Sequence, residues 1–327
     1  MKIIESEDWS TYKSVWIECM KDYYWYQDSP VFDWNKDEEL EEMESDFGKP
    51  GNVFLEAHED GEVVGVFSFR YRGKQANLNR WEPTALEGNG GTEIHNALLK
   101  HALDCLSGKG VERTTVTIKY PVTNPDVVKH LLDLYEHLGF ERYQPVSVDL
   151  VTHLDDIPNP PSMPDNISID PLQGTNPENI GKWVVRAYGS TPEDLEIHEF
   201  DKSVTDYDTA FHAFKSIMGG RLGPSPSEFW KVALVDDEPA GFIGGFIKES
   251  KHKPVTGILG PLGVFPEFRR LGLGVFLISE LFKSMKESGC EYSAVGTPAN
   301  NRNAIGMYQK AGYKLNCHLL FLEMTLT

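Results

Sequence analysis

One stretch decides the fold of the second half of this chain: Gly257-Ile-Leu-Gly-Pro-Leu-Gly-Val-Phe-Pro-Glu-Phe-Arg-Arg-Leu-Gly-Leu-Gly274. Its apolar first part predicts a strand that runs to Val264, and Pro266 predicts a turn after that strand. A long helix is expected from Gly272 to about Ser288, because apolar residues recur at helical spacing and Gly289 ends the pattern. The stretch therefore predicts a strand, a glycine-rich turn and a helix.

The glycine-rich turn predicts an anion site. Glycine lets the backbone approach a ligand closely, and the free N–H groups of a first helical turn point at one spot. The helix dipole favours negative charge there, which suits a pyrophosphate, and Arg269 and Arg270 add positive charge. The alternative is an ordinary connection with glycines for tight packing. Spacing excludes two other phosphate loops, because the P-loop pattern and the third glycine of the dinucleotide fingerprint are absent.

The chain also repeats itself. Four prolines within residues 157–164 exclude a helix or a central strand, so a linker is expected there. Three landmarks recur in the same order on both sides of it, which indicates duplication. The landmark pairs are the hairpins Asn52–Phe69 and Phe229–Ile247, the segments Lys109–Ile118 and Ser288–Thr297, and the segments Leu134–Phe140 and Met307–Tyr313.

The element order in each half sets the fold class. Each half predicts helices, a hairpin, a further strand, a long helix, a strand, a short helix and closing strands. This order is typical of an α/β domain with a mixed β-sheet flanked by helices. We expect a first domain over residues 1–156, a proline-rich linker over 157–165 and a second domain over 166–327.

Composition limits the class of protein. The net charge of −19 disfavours nucleic acid, and it either attracts a cationic substrate or only marks an acidic solvated surface. The absence of a long apolar run and of a signal-peptide core predicts a cytoplasmic protein without a membrane partner. The four cysteines and ten histidines lack metal-ligand spacing, so no metal site is predicted.

The second half resembles the GNAT superfamily of N-acetyltransferases. Arg269, Gly272 and Gly274 match the Arg/Gln-x-x-Gly-x-Gly/Ala pattern of its acyl-CoA loop. The segment Asn301–Tyr313 is similar to the family's Asn-x-x-Ala-x-x-x-Tyr followed by Gly-Phe/Tyr. The resemblance covers the chain from about Phe229 onward, and more loosely the whole chain, so it implies two tandem GNAT-like domains.

The resemblance implies a role for each matched residue, with acetyl-CoA as co-substrate. Tyr308 would protonate the leaving thiolate, and the alternative for Tyr308 is packing of its ring on the sheet. The implied acyl-CoA contacts are the backbone of Leu262, Gly263 and Val264 for the pantetheine arm, the turn residues Arg269, Arg270, Leu271, Gly272, Leu273 and Gly274 for the pyrophosphate, and Asn301 near the short helix.

The first half departs from the family pattern. Its loop, Leu86–Thr92, has glycines but no preceding Arg or Gln, and Glu87 and Glu93 would repel a pyrophosphate. Tyr135 matches Tyr308, whereas Val128 stands where the second half has its asparagine. We interpret this half as a degenerate copy that stabilises or shapes the site.

These observations favour an N-acetyltransferase that moves an acetyl group from acetyl-CoA to an amine of a small molecule or peptide, in a monomer or homodimer. A non-catalytic acyl-CoA sensor and a protein-modifying acetyltransferase stay open. No glutamate lies on Val255–Val264, so Glu249 or water would take the amine's proton. Two groups are either acceptor contacts or structural: the aromatic residues Tyr23–Tyr26, Phe32 and Trp34, and the acidic residues Glu193, Asp194, Glu196, Glu199 and Asp201.

Overall fold

The structure is a computed structural model that describes residues 1–21, 36–78, 82–86, 91–122, 126, 129–160, 162–172 and 177–326. The aromatic residues Tyr23–Tyr26, Phe32 and Trp34 lie outside the described residues, as do Glu87 and Val128. Among the helices of the described ranges, none combines the length and the apolar character that a membrane crossing requires.

The described ranges contain α-helices and β-strands in a mixed order. The strands are β1 (Lys2–Glu5), β2 (Asn52–Glu59), β3 (Glu62–Arg72), β4 (Gln75–Asn77), β5 (Thr84–Ala85), β6 (Arg113–Pro121), β7 (Glu141–Arg142), β8 (Ser147–His153), β9 (Ile167–Pro171), β10 (Lys231–Val235), β11 (Glu238–Lys248), β12 (Thr256–Val264), β13 (Tyr292–Pro298) and β14 (Lys314–Thr325). The helices are α1 (Trp9–Cys19), α2 (Lys36–Asp46), α3 (Gly91–Gly108), α4 (Lys129–His137), α5 (Pro177–Tyr188), α6 (Pro192–Ile197), α7 (Lys202–Thr205), α8 (Tyr207–Met218), α9 (Leu273–Glu287) and α10 (Arg302–Lys310).

The chain forms two compact units that exchange a strand. The first unit comprises Met1–Pro145 and Leu319–Thr327, and the second comprises Val146–His318. Strand β8, from the first half of the chain, pairs antiparallel with β13 in the second unit. The end of β14, from the second half, pairs with β7 in the first unit. The compact units therefore differ from a simple division at the proline-rich linker, because hydrogen bonding places the last strand of each half in the other unit.

The first unit has a mixed sheet in the order β1-β2-β3-β4-β6-β14. The turn between β2 and β3 has left-handed backbone at Asp60 and Gly61, which suits a tight hairpin. Strands β4 and β6 pair in parallel, and β5 pairs with β3. The apolar stripe of α3 is buried, and Tyr12, Trp16 and Met43 of α1 and α2 form a second buried cluster with Phe54 of β2.

The second unit has a mixed sheet in the order β8-β13-β12-β11-β10-β9. The hairpin β10–β11 turns at Asp236 and Asp237, which both adopt left-handed angles. Helix α9 begins after Gly272, whose φ of 83° only glycine adopts without strain, and it ends before Ser288. This confirms the helix predicted from the sequence. Its buried stripe, which includes Leu277, Ile278 and Leu281, joins the core of the unit.

Candidate active site

Strand β12 loses one of its two neighbours halfway along its length. It pairs in parallel with β13 over three residues, from Thr256 opposite Tyr292 to Ile258 opposite Ala294. On its other side it stays paired with β11 as far as Val264, with an irregularity between Leu259 and Leu262. Residues 259–264 therefore present an open strand edge, to which an extended amide-bearing chain can add as a strand does.

The backbone of Leu262 on this edge is bonded to a side chain. The Leu262 N–H donates to the hydroxyl of Tyr188 at 3.2 Å, and that hydroxyl donates to the Leu262 carbonyl. Tyr188 is the last residue of α5. Burial raises the pKa of Tyr188 to about 12, so the phenol is protonated at neutral pH. One hydroxyl thus satisfies both polar groups of Leu262.

The turn after β12 presents a row of unbonded amides. In the described part of the chain, no acceptor bonds the backbone N–H groups of residues 270–274, whereas the N–H groups of Arg269 and Val275 bond Pro266 and Gly272. Arg270 and Gly272 both have left-handed angles, which fold the turn onto the start of α9. Five successive free N–H groups at a helix N-terminus are suited to an anion, and the pyrophosphate contact of this turn stays a prediction.

The second glycine of the motif is closely packed against a side chain. A Cβ atom built on Gly274 would lie 2.1 Å from Sδ of Met307 in α10. Gly272, in contrast, has ordinary space around it and needs its glycine for backbone angle alone. The two matched glycines therefore serve different purposes, and Gly274 brings the start of α9 against α10.

Arg269 is engaged by oxygens of the protein. Its guanidinium donates to the Ala187 carbonyl at 2.7 Å and to Asp194 at 2.9 Å, and its Nε donates to the Val264 carbonyl at 3.3 Å. It thereby ties the end of α5 and the start of α6 to the end of β12. Its expected contact with a pyrophosphate stays a prediction, and it would have to be made beside the Asp194 carboxylate.

A second ion pair lies next to the first. Arg186 of α5 pairs with Glu267 in the turn, and its guanidinium lies 3.9 Å from the ring centroid of Phe265. Both pairs join the same two parts of the second unit. The α5–α6 corner is consequently held against the strand end and turn that would receive the donor.

Asn301 lies just before α10 as its N-cap residue, and Tyr308 lies within the helix. The Asn301 side chain caps the helix by accepting from the Ala304 N–H at 3.2 Å, so its contact with acyl-CoA stays a prediction. Tyr308 is 6% exposed and its ring meets Tyr313 edge-on at 5.7 Å. Burial, with smaller contributions from Tyr188 and Tyr313, raises the pKa of Tyr308 well above its ordinary value. The proton-donating form is therefore maintained, and the packing role is present as well.

The acidic residues of α6 and its surroundings are partly used by the fold. Asp194 pairs with Arg269, Asp201 caps α7, and Glu193 accepts from Asn303 at 3.4 Å. Glu196 and Glu199 stay exposed, as does Glu249 beyond β11. The group is therefore both structural and a source of negative potential.

Sequence reasoning missed two residues at this site, Tyr188 and His198. The His198 ring is buried and meets Tyr188 edge-on, with centroids 4.9 Å apart. Burial lowers the pKa of His198, which keeps the imidazole neutral at neutral pH. The contacts of Tyr188 with Leu262 span 74 residues, so no local spacing could have indicated them.

Part of the second unit matches a known protein family. Residues 192–313 match the acetyltransferase (GNAT) family. The chain is 23% identical over 109 residues to an uncharacterised N-acetyltransferase, YdgE, of Bacillus subtilis (strain 168), covering 33% of this chain and 69% of that protein.

Solved structures show the same fold over nearly the whole chain. A GCN5-related N-acetyltransferase from Sphaerobacter thermophilus superposes with a TM-score of 0.63 at 17% identity, covering 99% of this chain and 96% of the other. A tandem GNAT protein from the clavulanic acid biosynthesis pathway gives a TM-score of 0.54 at 14% identity, covering 100% and 98%. The fold is thus that of two tandem GNAT-like domains, and the match to the acetyltransferase (GNAT) family covers residues 192–313 of the second.

Proposed function

We propose that this chain is an N-acetyltransferase that moves an acetyl group from acetyl-CoA directly to an amine of a small molecule or peptide. The observation that carries the proposal is the row of free N–H groups at residues 270–274 beside the open edge of β12. A diphosphate fits the first feature, and an arm with amide groups fits the second. Acyl-CoA carries both chemical groups in one molecule.

Residues of the second unit then have separate roles in donor binding and proton transfer. The donor's thioester supplies the activated acyl group. The turn residues hold the diphosphate by backbone N–H groups, and the edge of β12 orients the arm. Tyr308, which burial keeps protonated, supplies a proton to the departing thiolate. His198 offers a neutral imidazole next to Tyr188 and is a candidate to accept the amine's proton.

The charge of the chain favours a cationic acceptor. The net charge is −19, and Glu196 and Glu199 are exposed on and just after α6, whose start is tied to the end of β12. Such a surface raises the local concentration of an amine cation. An amine must lose a proton before it attacks, so the proposal includes a base.

Two measurements test the proposal. Calorimetry with acetyl-CoA should give one site per chain, and release of free thiol should depend on an added amine from a panel of small amines and amino-terminal peptides. Binding of acetyl-CoA without thiol release for any amine would instead support the acyl-CoA sensor. A failure of the protein to bind acetyl-CoA at all would refute both.

A further inference from the structure

The hydroxyl of Tyr188 lies where a bound chain would pair with β12. Along residues 259–264 the strand has β11 on one side and, within the described part of the chain, no paired strand on the other. Both polar groups of Leu262 turn to Tyr188, which accepts from the N–H and donates to the carbonyl. An added strand makes the same two bonds, with a carbonyl for the N–H and an N–H for the carbonyl.

A hydroxyl can replace both groups because it donates once and accepts as well. The Tyr188 phenol is protonated at neutral pH, since burial raises its pKa to about 12. In the free protein it therefore supplies the partner of a backbone N–H and of a carbonyl, and a polar group left without a partner away from water is costly. Both hydrogen bonds join the Tyr188 hydroxyl to the backbone of one residue, Leu262, so they form without a second strand.

From this geometry we propose that Tyr188 is a positioning residue. In the free protein its hydroxyl is hydrogen-bonded to the N–H and the carbonyl of Leu262, and when acyl-CoA binds it releases both groups to the pantetheine arm. The inference rests on the proposed function, because it requires acyl-CoA as the ligand. The exchange replaces two hydrogen bonds by two others. Tyr188 consequently lowers the affinity for the donor, because its bonds must be broken first.

The surroundings of Tyr188 connect this exchange to the acceptor side. Its ring meets the His198 ring edge-on at 4.9 Å, and α6 begins four residues after it. The adjacent residue Ala187 accepts from Arg269, which also holds Asp194. A displaced Tyr188 side chain thus moves within the α5–α6 corner, next to the imidazole proposed as the base.

The test is Tyr188→Phe, which keeps the ring and removes the hydroxyl. We expect acetyl-CoA and CoA to bind about threefold to tenfold more tightly to the variant, the range that one net hydrogen bond gives. The phosphorylated ADP portion of CoA, which has no arm, should bind the variant and the parent equally. Calorimetry measures all three ligands.

Thermal unfolding gives a second readout. The variant should melt at a lower temperature than the parent in the free state, and at nearly the same temperature when saturated with CoA, because the lost bonds exist only in the free state. Tyr207→Phe is the matched control. Tyr207 is exposed and its ring stacks on Phe211, outside the contacts of Leu262.

Each other outcome overturns the inference. Weaker binding of CoA to Tyr188→Phe would mean that the hydroxyl contacts the donor in the complex. Unchanged affinity with equal destabilisation of the free and saturated protein would mean that the Tyr188 hydroxyl stays bonded to Leu262 in the complex and has only a structural role. Tighter binding of the phosphorylated ADP portion as well would place the competition at the diphosphate turn. If the parent protein bound no CoA, the proposed function and this inference would both fail, whereas the preceding outcomes leave the proposed function intact.

Discussion

The two units build the same scaffold and differ at the strand that would receive a donor. In the second unit β12 is one strand of nine residues that runs on past its partner β13. In the first unit its counterpart is two short strands: β4 pairs with β6 in parallel over three residues, and β5 pairs with β3. The parallel pairing is alike in both units, and the continuous open edge beyond it belongs to the second.

The scaffold around that edge is alike in detail. Gly65 and Gly241 stand at matching places in the two hairpins, and a Cβ on either would lie within 3 Å of a backbone oxygen, of Thr84 and of Gly263 respectively. Both glycines are therefore required for close strand packing. The two units therefore share the close packing of the hairpin against its neighbouring strand and differ at the edge that would face the donor.

The largest contrast is expected at the paired tyrosines. Tyr308→Phe should lower kcat about 10²- to 10⁴-fold with little change in acyl-CoA affinity, because only the proton donor is removed. Tyr135→Phe should leave kinetics unchanged, because the hydroxyl of Tyr135 is buried and has no partner within the described residues. Steady-state kinetics with the identified acceptor measures both. Equal losses at the two positions would mean that the active unit is wrongly assigned.

The next contrast concerns the helix starts. Gly272→Glu should weaken acetyl-CoA binding at least about 100-fold, because it strains a left-handed residue and adds negative charge beside the free N–H groups. Gly91→Glu is the counterpart at the start of α3, where a Cβ meets nothing within 4 Å. We expect it to leave affinity unchanged. Calorimetry on folded variants decides, and normal affinity of Gly272→Glu would remove the anion site from the turn.

A smaller contrast is expected between two ion pairs. Asp194→Asn in the second unit should cost about 1–2 kcal/mol in the free energy of unfolding, because Asp194 and Arg269 are partly shielded from water. Glu112→Gln in the first unit breaks its pair with Lys74, whose members are both mostly exposed, and should cost less than about 1 kcal/mol. Urea unfolding tests this order. A greater loss for Glu112→Gln would contradict the structural role of the α5–α6 corner.

The smallest effect is expected from acid. Burial and the nearby His130 lower the pKa of His95 in α3 from 6.5 to about 4. Between these values the unfolded chain binds more protons than the folded one, so stability falls as pH drops from 6.5 to 4. Over the first pH unit of this fall, between pH 6.5 and 5.5, His95→Asn should reduce the loss of stability by about 1 kcal/mol. Urea midpoints at several pH values provide the measurement, and an unchanged slope would show that His95 is not the titrating group.

Much of the second unit could be predicted from local sequence. The hairpin β10–β11 and the limits of α9 follow from apolar spacing and from residues such as Gly272 and Gly289, whose backbone angles suit the ends of a helix. The short strands β1 and β9 were not predicted, because four or five residues carry too little periodic pattern to be recognised.

The contacts of the site could be predicted only in part. The glycine turn and Tyr308 were recognisable by motif. The engagement of Arg269 by Asp194 and of Leu262 by Tyr188 joins residues 75 and 74 positions apart, which no spacing rule reaches. The strand exchange could not be predicted either, because the alternating pattern of β8 suits any sheet with one apolar face and does not indicate which unit the strand joins.

The strand exchange has a consequence for the order of synthesis. A ribosome completes Met1–Pro145 long before it makes Leu319–Thr327, yet both segments belong to the first unit. One edge of the sheet in the amino-terminal part therefore stays without its last strand until the whole second unit has been translated. Unpaired edges of this kind invite wrong partners. Cleavage at the proline-rich linker would likewise separate no intact unit, because each fragment carries a strand that the other needs.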